Sequence, residues 1–99
     1  MTAKLPYDAY LYLHPNTNEK DSNNITKLFN SLRKAFIFNP DANTAELIYS
    51  EGSIFVEMPE KEQDNLCIIS VSGKGYNIVK NVMDINDNNF IQVNTNGKN

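Results

Sequence analysis

Cysteine is almost missing from this 99-residue chain. Cys67 stands alone inside the apolar run Leu66-Cys67-Ile68-Ile69. One cysteine cannot close an internal disulfide, so nothing points to an oxidising compartment. Histidine is equally scarce, with His14 the single copy. Without a cysteine pair or a second histidine, the usual structural zinc ligand sets cannot be assembled. Long hydrophobic runs are lacking too: none approaches the roughly 18–20 residues that a bilayer span requires. The opening Met1-Thr2-Ala3-Lys4-Leu5-Pro6 has no apolar h-region. It does not read as a signal peptide, and the expected location is the cytoplasm. Excess charge is slight, with a formal net charge of −3. That balance gives no general attraction to phosphate or anionic lipid, and it suits a basic partner.

What is present is enough for one domain. The length fits a single domain, 1–99, and the apolar share of 40% can supply one core. Residues 7–14, Tyr-Asp-Ala-Tyr-Leu-Tyr-Leu-His, are rich in aromatic and aliphatic side chains and predict a strand. Alternation places Tyr7, Ala9, Leu11 and Leu13 on one face and Asp8, Tyr10, Tyr12 and His14 on the other. Pro15 ends it. Ile25, Leu28, Phe29, Leu32 and Phe36 then recur at helical spacing. They predict an amphipathic helix over about 22–37, capped by Asp21 or Ser22 and stopped by Asn39-Pro40.

Strands are expected over 44–50 and 53–58 around a Glu51-Gly52 turn, over 66–71, and over 90–93. Ser72-Gly73-Lys74-Gly75 reads as a turn between strands. The segment 76–83 carries the β-branched Ile78, Val79 and Val82 and reads first as a strand. Its Tyr76, Val79 and Met83 also share a helical face, so a helix is the alternative. A charged loop over 59–65 and a frayed tail over 95–99 complete the reading. The expected fold is α+β: a mostly antiparallel sheet of five to six strands with one amphipathic helix on one face. The alternative is a ferredoxin-like βαββαβ domain with a second helix near 75–84.

Catalytic constellations are not found. His14 needs an orienting carboxylate or a nucleophile. Asp8, on the same face, lies six residues and roughly 20 Å away along a strand. Cys67 sits among aliphatic neighbours and reads as a buried, inert thiol. Asp84-x-Asn86-x-Asn88 opens like a calcium loop, but Asn89 stands at position six and Thr95 at position twelve. Those positions call for glycine and a bidentate glutamate, so an Asx-rich turn is expected. Gly73-Lys74-Gly75 lacks the spacing of a phosphate loop. The carboxylate pairs Glu60/Glu62 and Asp84/Asp87 fall in charged loops, where nothing raises a pKa for acid catalysis. The chain is therefore expected to be no enzyme, with no cofactor and no metal.

Two segments resemble the signatures of the RNA-recognition motif. Leu11-Tyr12-Leu13-His14-Pro15-Asn16, followed by a loop and a helix, resembles that family's first strand. Gly52-Ser53-Ile54-Phe55-Val56 resembles its second signature. The resemblance covers about the first 58 residues and implies that Tyr12 and Phe55 stack on bases. The chain departs from the family at Ser53, where an aromatic belongs, and at Glu51, where a basic residue belongs. It departs again at 66–71, which reads as a strand in place of the second helix.

The expected function is protein binding through the sheet face opposite the helix. Tyr10, Tyr12 and Phe55 would form the contact, ringed by Asp8 and Glu57. Tyrosine is enriched in interface hot spots, and acidic neighbours steer a basic partner. Small acidic inhibitors and immunity proteins that neutralise a basic toxin or nuclease share this description. A homodimer would bury the same tyrosines. The alternative is single-stranded nucleic-acid binding through those aromatics, or through Lys27, Arg33 and Lys34 on the helix. No membrane contact is expected.

Overall fold

The structure, a computed structural model, describes residues 7–59 and 66–92. The expected charged loop beyond Pro59, with Glu60 and Glu62, lies outside the described residues. So do Val93 and the expected tail at 95–99.

The chain folds as β1 (Ala9–Leu13), α1 (Glu19–Leu32), β2 (Ile37–Asn39), β3 (Thr44–Tyr49), β4 (Gly52–Glu57), β5 (Cys67–Gly73), α2 (Lys74–Met83) and β6 (Ile91–Gln92). A short 3₁₀ turn, Asp87–Asn89, precedes β6. The six strands form one sheet in the order β2-β3-β4-β5-β1-β6, and every pair is antiparallel. The α+β fold with a mostly antiparallel sheet is as expected. The second helix is the one the βαββαβ alternative places there. Strands β1 and β4 both flank β5, and β5 and β6 both flank β1. Each pair is therefore parallel: β1 reaches β4 through α1 and the β2–β3 hairpin, and β5 reaches β6 through α2.

The segment 76–83, read first as a strand, is helix. Its three β-branched residues are outweighed by burial: Gly75, Val79 and Met83 form one buried face at helical spacing. The expected turn at 72–75 is likewise corrected, since β5 runs directly into α2. Gly73 makes that junction possible with φ 48°. A Cβ there would lie 2.1 Å from the Glu51 carbonyl oxygen, a conformation and a clearance that only glycine meets.

Helix α1 is shifted from its expected span. His14 O accepts from the N–H groups of Thr17 and Asn18, and this tight turn starts the helix at Glu19. Asn18 is the cap, its side chain accepting from Asp21 N–H, in place of Asp21 or Ser22. Asp21 instead accepts from His14 N–H at 2.8 Å. The helix ends at Leu32, short of Asn39-Pro40. Phe36 keeps its place in the apolar stripe because Phe36 N–H still reaches Leu32 O at 3.2 Å. Its ring packs with Phe29 and Phe38, centroids 5.2 and 6.1 Å away. Residues 37–39 then pair with β3 as a strand that periodicity did not reveal.

Ala9, Leu11, Leu13, Ile54, Val56, Ile69 and Val71 join Ile25, Leu28, Val79 and Met83 in one core. Both helices therefore cover the same sheet face. The segment 87–92 is clasped from α2. Tyr76 Oη and Lys80 Nζ both donate to Asp87 Oδ1, at 2.9 and 2.8 Å, and Gln92 Nε2 donates to Tyr76 Oη at 2.8 Å. The Lys80–Asp87 bond holds Lys80 above the ordinary lysine pKa, and that bond together with the Tyr76 hydroxyl holds Asp87 below the ordinary carboxylate value. No helix among the described residues is long and apolar enough to cross a membrane.

Candidate functional site

The face left open by the helices is built from alternate strand residues. Strand registry aligns Ile37, Glu46, Phe55, Ser70, Tyr10 and Ile91 in one row across all six strands. Five inter-strand steps make that row about 24 Å long. The neighbouring row runs Asn39, Thr44, Glu57, Ile68 and Tyr12. Tyr10, Tyr12, Phe55 and Glu57 thus share one surface, as expected. Tyr12 is 47% exposed and Ile91 50% exposed. Because α2 packs with α1 on the opposite side, it does not cover the tyrosines.

Tyr7 departs from its expected place on the core face. Strand pairing starts at Ala9, after a bend at Asp8, so alternation does not extend back to Tyr7. Its ring lies over the open face, 6.3 Å from both Tyr10 and Phe55. Registry puts Ser70 between those two residues, and Ser70 is only 2% exposed. A small residue beneath three rings accounts for that burial. Burial and the nearby Glu46, Tyr10 and Glu57 raise the Tyr7 pKa above 10.0.

Asp8, expected at the rim of this face, also holds a contact within the fold. Its carboxylate accepts from Gly73 N–H at 2.9 Å, tying the start of β1 to the start of α2. It is exposed but engaged in the fold. Glu57 is exposed in the same row as Tyr12, two strands away across Ile68. Glu46, not singled out by the sequence reading, stands next to Phe55 in the long row. Its position on β3 opposite Phe55 is a registry fact that sequence spacing does not carry.

The charge distribution is one-sided. None of the six strands contains a lysine or arginine. Among the described residues, the cations Lys20, Lys27, Arg33, Lys34, Lys74 and Lys80 all lie on or directly beside the helices. The open face combines aromatic and aliphatic area with Glu46 and Glu57.

The pair expected from the RNA-recognition resemblance is separated. Strand β5 lies between β1 and β4, leaving Tyr12 and Phe55 two strands and one row apart. Elsewhere, His14 is exposed at the end of β1. Cys67 is fully buried, its Sγ 3.8 Å from Met58 Sδ. Burial foremost, then Asp21 and Glu57, pushes its thiol up to about 12. A thiol at that value is not a nucleophile at neutral pH. The Asp84–Asn89 segment forms turns: Asp84 adopts φ 57°, and Asn86 and Asn89 make a reciprocal capping box. Among the described residues, no group of three metal-ligating side chains converges. No family model, curated protein or solved structure is significantly similar to the chain.

Proposed function

We propose that the chain is a non-catalytic protein-binding module whose open sheet face receives a basic partner in the cytoplasm. One observation carries this reading: an uncovered face with Tyr7, Tyr10, Tyr12 and Phe55, two glutamates, and no cation in any strand. Rigid aromatic side chains supply contact area at low entropic cost. The glutamates favour encounter with a positively charged surface. An inhibitor or immunity protein directed at a basic toxin or nuclease fits these features. Fold alone does not select that subclass. The absence of strand cations disfavours the nucleic-acid alternative on this face, where phosphate would meet Glu46 and Glu57.

Affinity capture from the native host, read by mass spectrometry, supplies the partner. The double variant Tyr10→Ala/Tyr12→Ala should then lose capture while retaining its circular dichroism. Undiminished capture by the folded double variant overturns the proposed face. Filter binding at low salt tests the alternative: retention of single-stranded RNA or DNA would favour it over protein binding.

A further inference from the structure

The long row of the open face ends at β2, and β2 is an edge strand. Natural sheets guard such edges with charges, proline or a covering element, because unpaired backbone groups accept another strand. Here all three residues, Ile37, Phe38 and Asn39, are exposed and uncharged. Ile37 is 62% exposed and Phe38 56%. Pro40 follows the strand and leaves its N–H groups in place. No described element covers this edge.

A groove of about 470 Å³ lies alongside, lined by Ile37, Phe38, Pro40, Ala42, Glu46 and Phe55 among others. It is continuous with the aromatic face through Glu46 and Phe55. The groove therefore has an apolar floor, a carboxylate and an open strand edge.

We propose that this edge takes up an extended, basic segment of the partner protein as a seventh strand, a refinement that rests on the protein-binding reading above. Backbone pairing to β2 would supply affinity, and alternate side chains would supply specificity. A lysine or arginine on the open-face side of the added strand would lie two strands, roughly 10 Å, from Glu46. Its long stem can cross Ile37 and deliver the cation to that carboxylate. The intervening apolar side chains would pack beside Phe38 on the other side. Charge argues against a second copy seated face to face. A two-fold pairing of this face would gather four carboxylates, Glu46 and Glu57 from each copy, with no strand cation to offset them.

The probe is a short blocked peptide alternating arginine and valine, fluorescently labelled. Two control peptides accompany it: one N-methylated at alternate residues, and one with glutamate in place of arginine. The expected result is saturable anisotropy with amide shifts centred on Ile37–Asn39. N-methylation, glutamate replacement and the variant Glu46→Lys should each weaken binding by roughly tenfold or more.

Equal affinity of the N-methylated peptide overturns strand addition, as does no binding of the arginine peptide. Equal affinity of the glutamate peptide removes the basic specificity and overturns the proposal. Concentration-dependent shifts at Ile37–Asn39 in the protein alone would identify a second copy as the occupant, with the same consequence. The two readings fail separately. Shifts confined to Tyr10, Tyr12 and Phe55 defeat the edge but keep the face. Peptide binding at β2 together with undiminished partner capture by Tyr10→Ala/Tyr12→Ala defeats the face but keeps the edge.

Discussion

The Tyr7 ring lies nearly parallel to that of Phe55, with centroids 6.3 Å apart and planes inclined by 18°. The contact joins Tyr7, two residues before β1, to β4 across β5, and Ser70 is buried beneath it. Tyr7→Ala should remove the stacking and uncover Ser70. A loss of about 1–2 kcal/mol is expected in urea denaturation, with faster hydrogen exchange at the Ser70 amide. Tyr7→Phe keeps the ring and should stay within about 0.5 kcal/mol of the parent.

Asp8 and Glu57 are both acidic, but only one is committed to the fold. Asp8→Ala leaves Gly73 N–H without its partner and should cost about 1 kcal/mol, as for loss of a helix cap. Glu57→Ala should leave stability within about 0.5 kcal/mol. On the proposed function, its effect is on partner association, whose rate should fall and become less salt-sensitive. Chemical denaturation and stopped-flow binding read the two effects separately.

Gly75 sets how closely α2 approaches β4. A Cβ there would lie 2.1 Å from the Ser53 carbonyl oxygen and 2.9 Å from Ile54 Cγ1. The nearest obstacle is backbone, so neither a rotamer change nor side-chain flexing relieves it. Gly75→Ala should destabilise by roughly 3 kcal/mol, visible as a lowered denaturation midpoint, despite alanine's better helix propensity.

Cys67 has a folded-state pKa raised from 9.0 to about 12. The folded state therefore favours the thiol over the thiolate. This contribution is fully present below pH 9 and is lost as pH rises through 12, an effect on the order of 4 kcal/mol. Stability measured from pH 8 upward should decline more steeply in the parent than in Cys67→Ala. At neutral pH, iodoacetamide should modify Cys67 only once the chain unfolds.

The apolar stripe Ile25, Leu28, Phe29, Leu32 and Phe36 made a helix in this region legible. The alternation of Ala9, Leu11 and Leu13 fixed which face of β1 is buried. Both patterns are local, because the backbone period alone decides which side chains share a face. The fate of 76–83 was not local. Its β-branched residues prefer strands, yet Val79 and Met83 gain burial against the sheet as helix, and tertiary packing overrides a weak propensity. The β2 segment was hidden for the same reason, since three residues carry too little periodicity to distinguish strand from helix end.

The candidate face divides in the same way. Alternation along β1 placed Tyr10 and Tyr12 together, and alternation along β4 did so for Phe55 and Glu57. Which strand neighbours which is a long-range property, so Glu46 and Ile91 joined that surface only through sheet order and registry. The swing of Tyr7 across the sheet and the use of Asp8 by Gly73 N–H arise from contacts distant in sequence. The amino-acid pattern by itself determined the amphipathic layers. The tertiary structure decided which aromatic residues lie open together, and that among the described residues the cations sit on or beside the helices rather than in the strands.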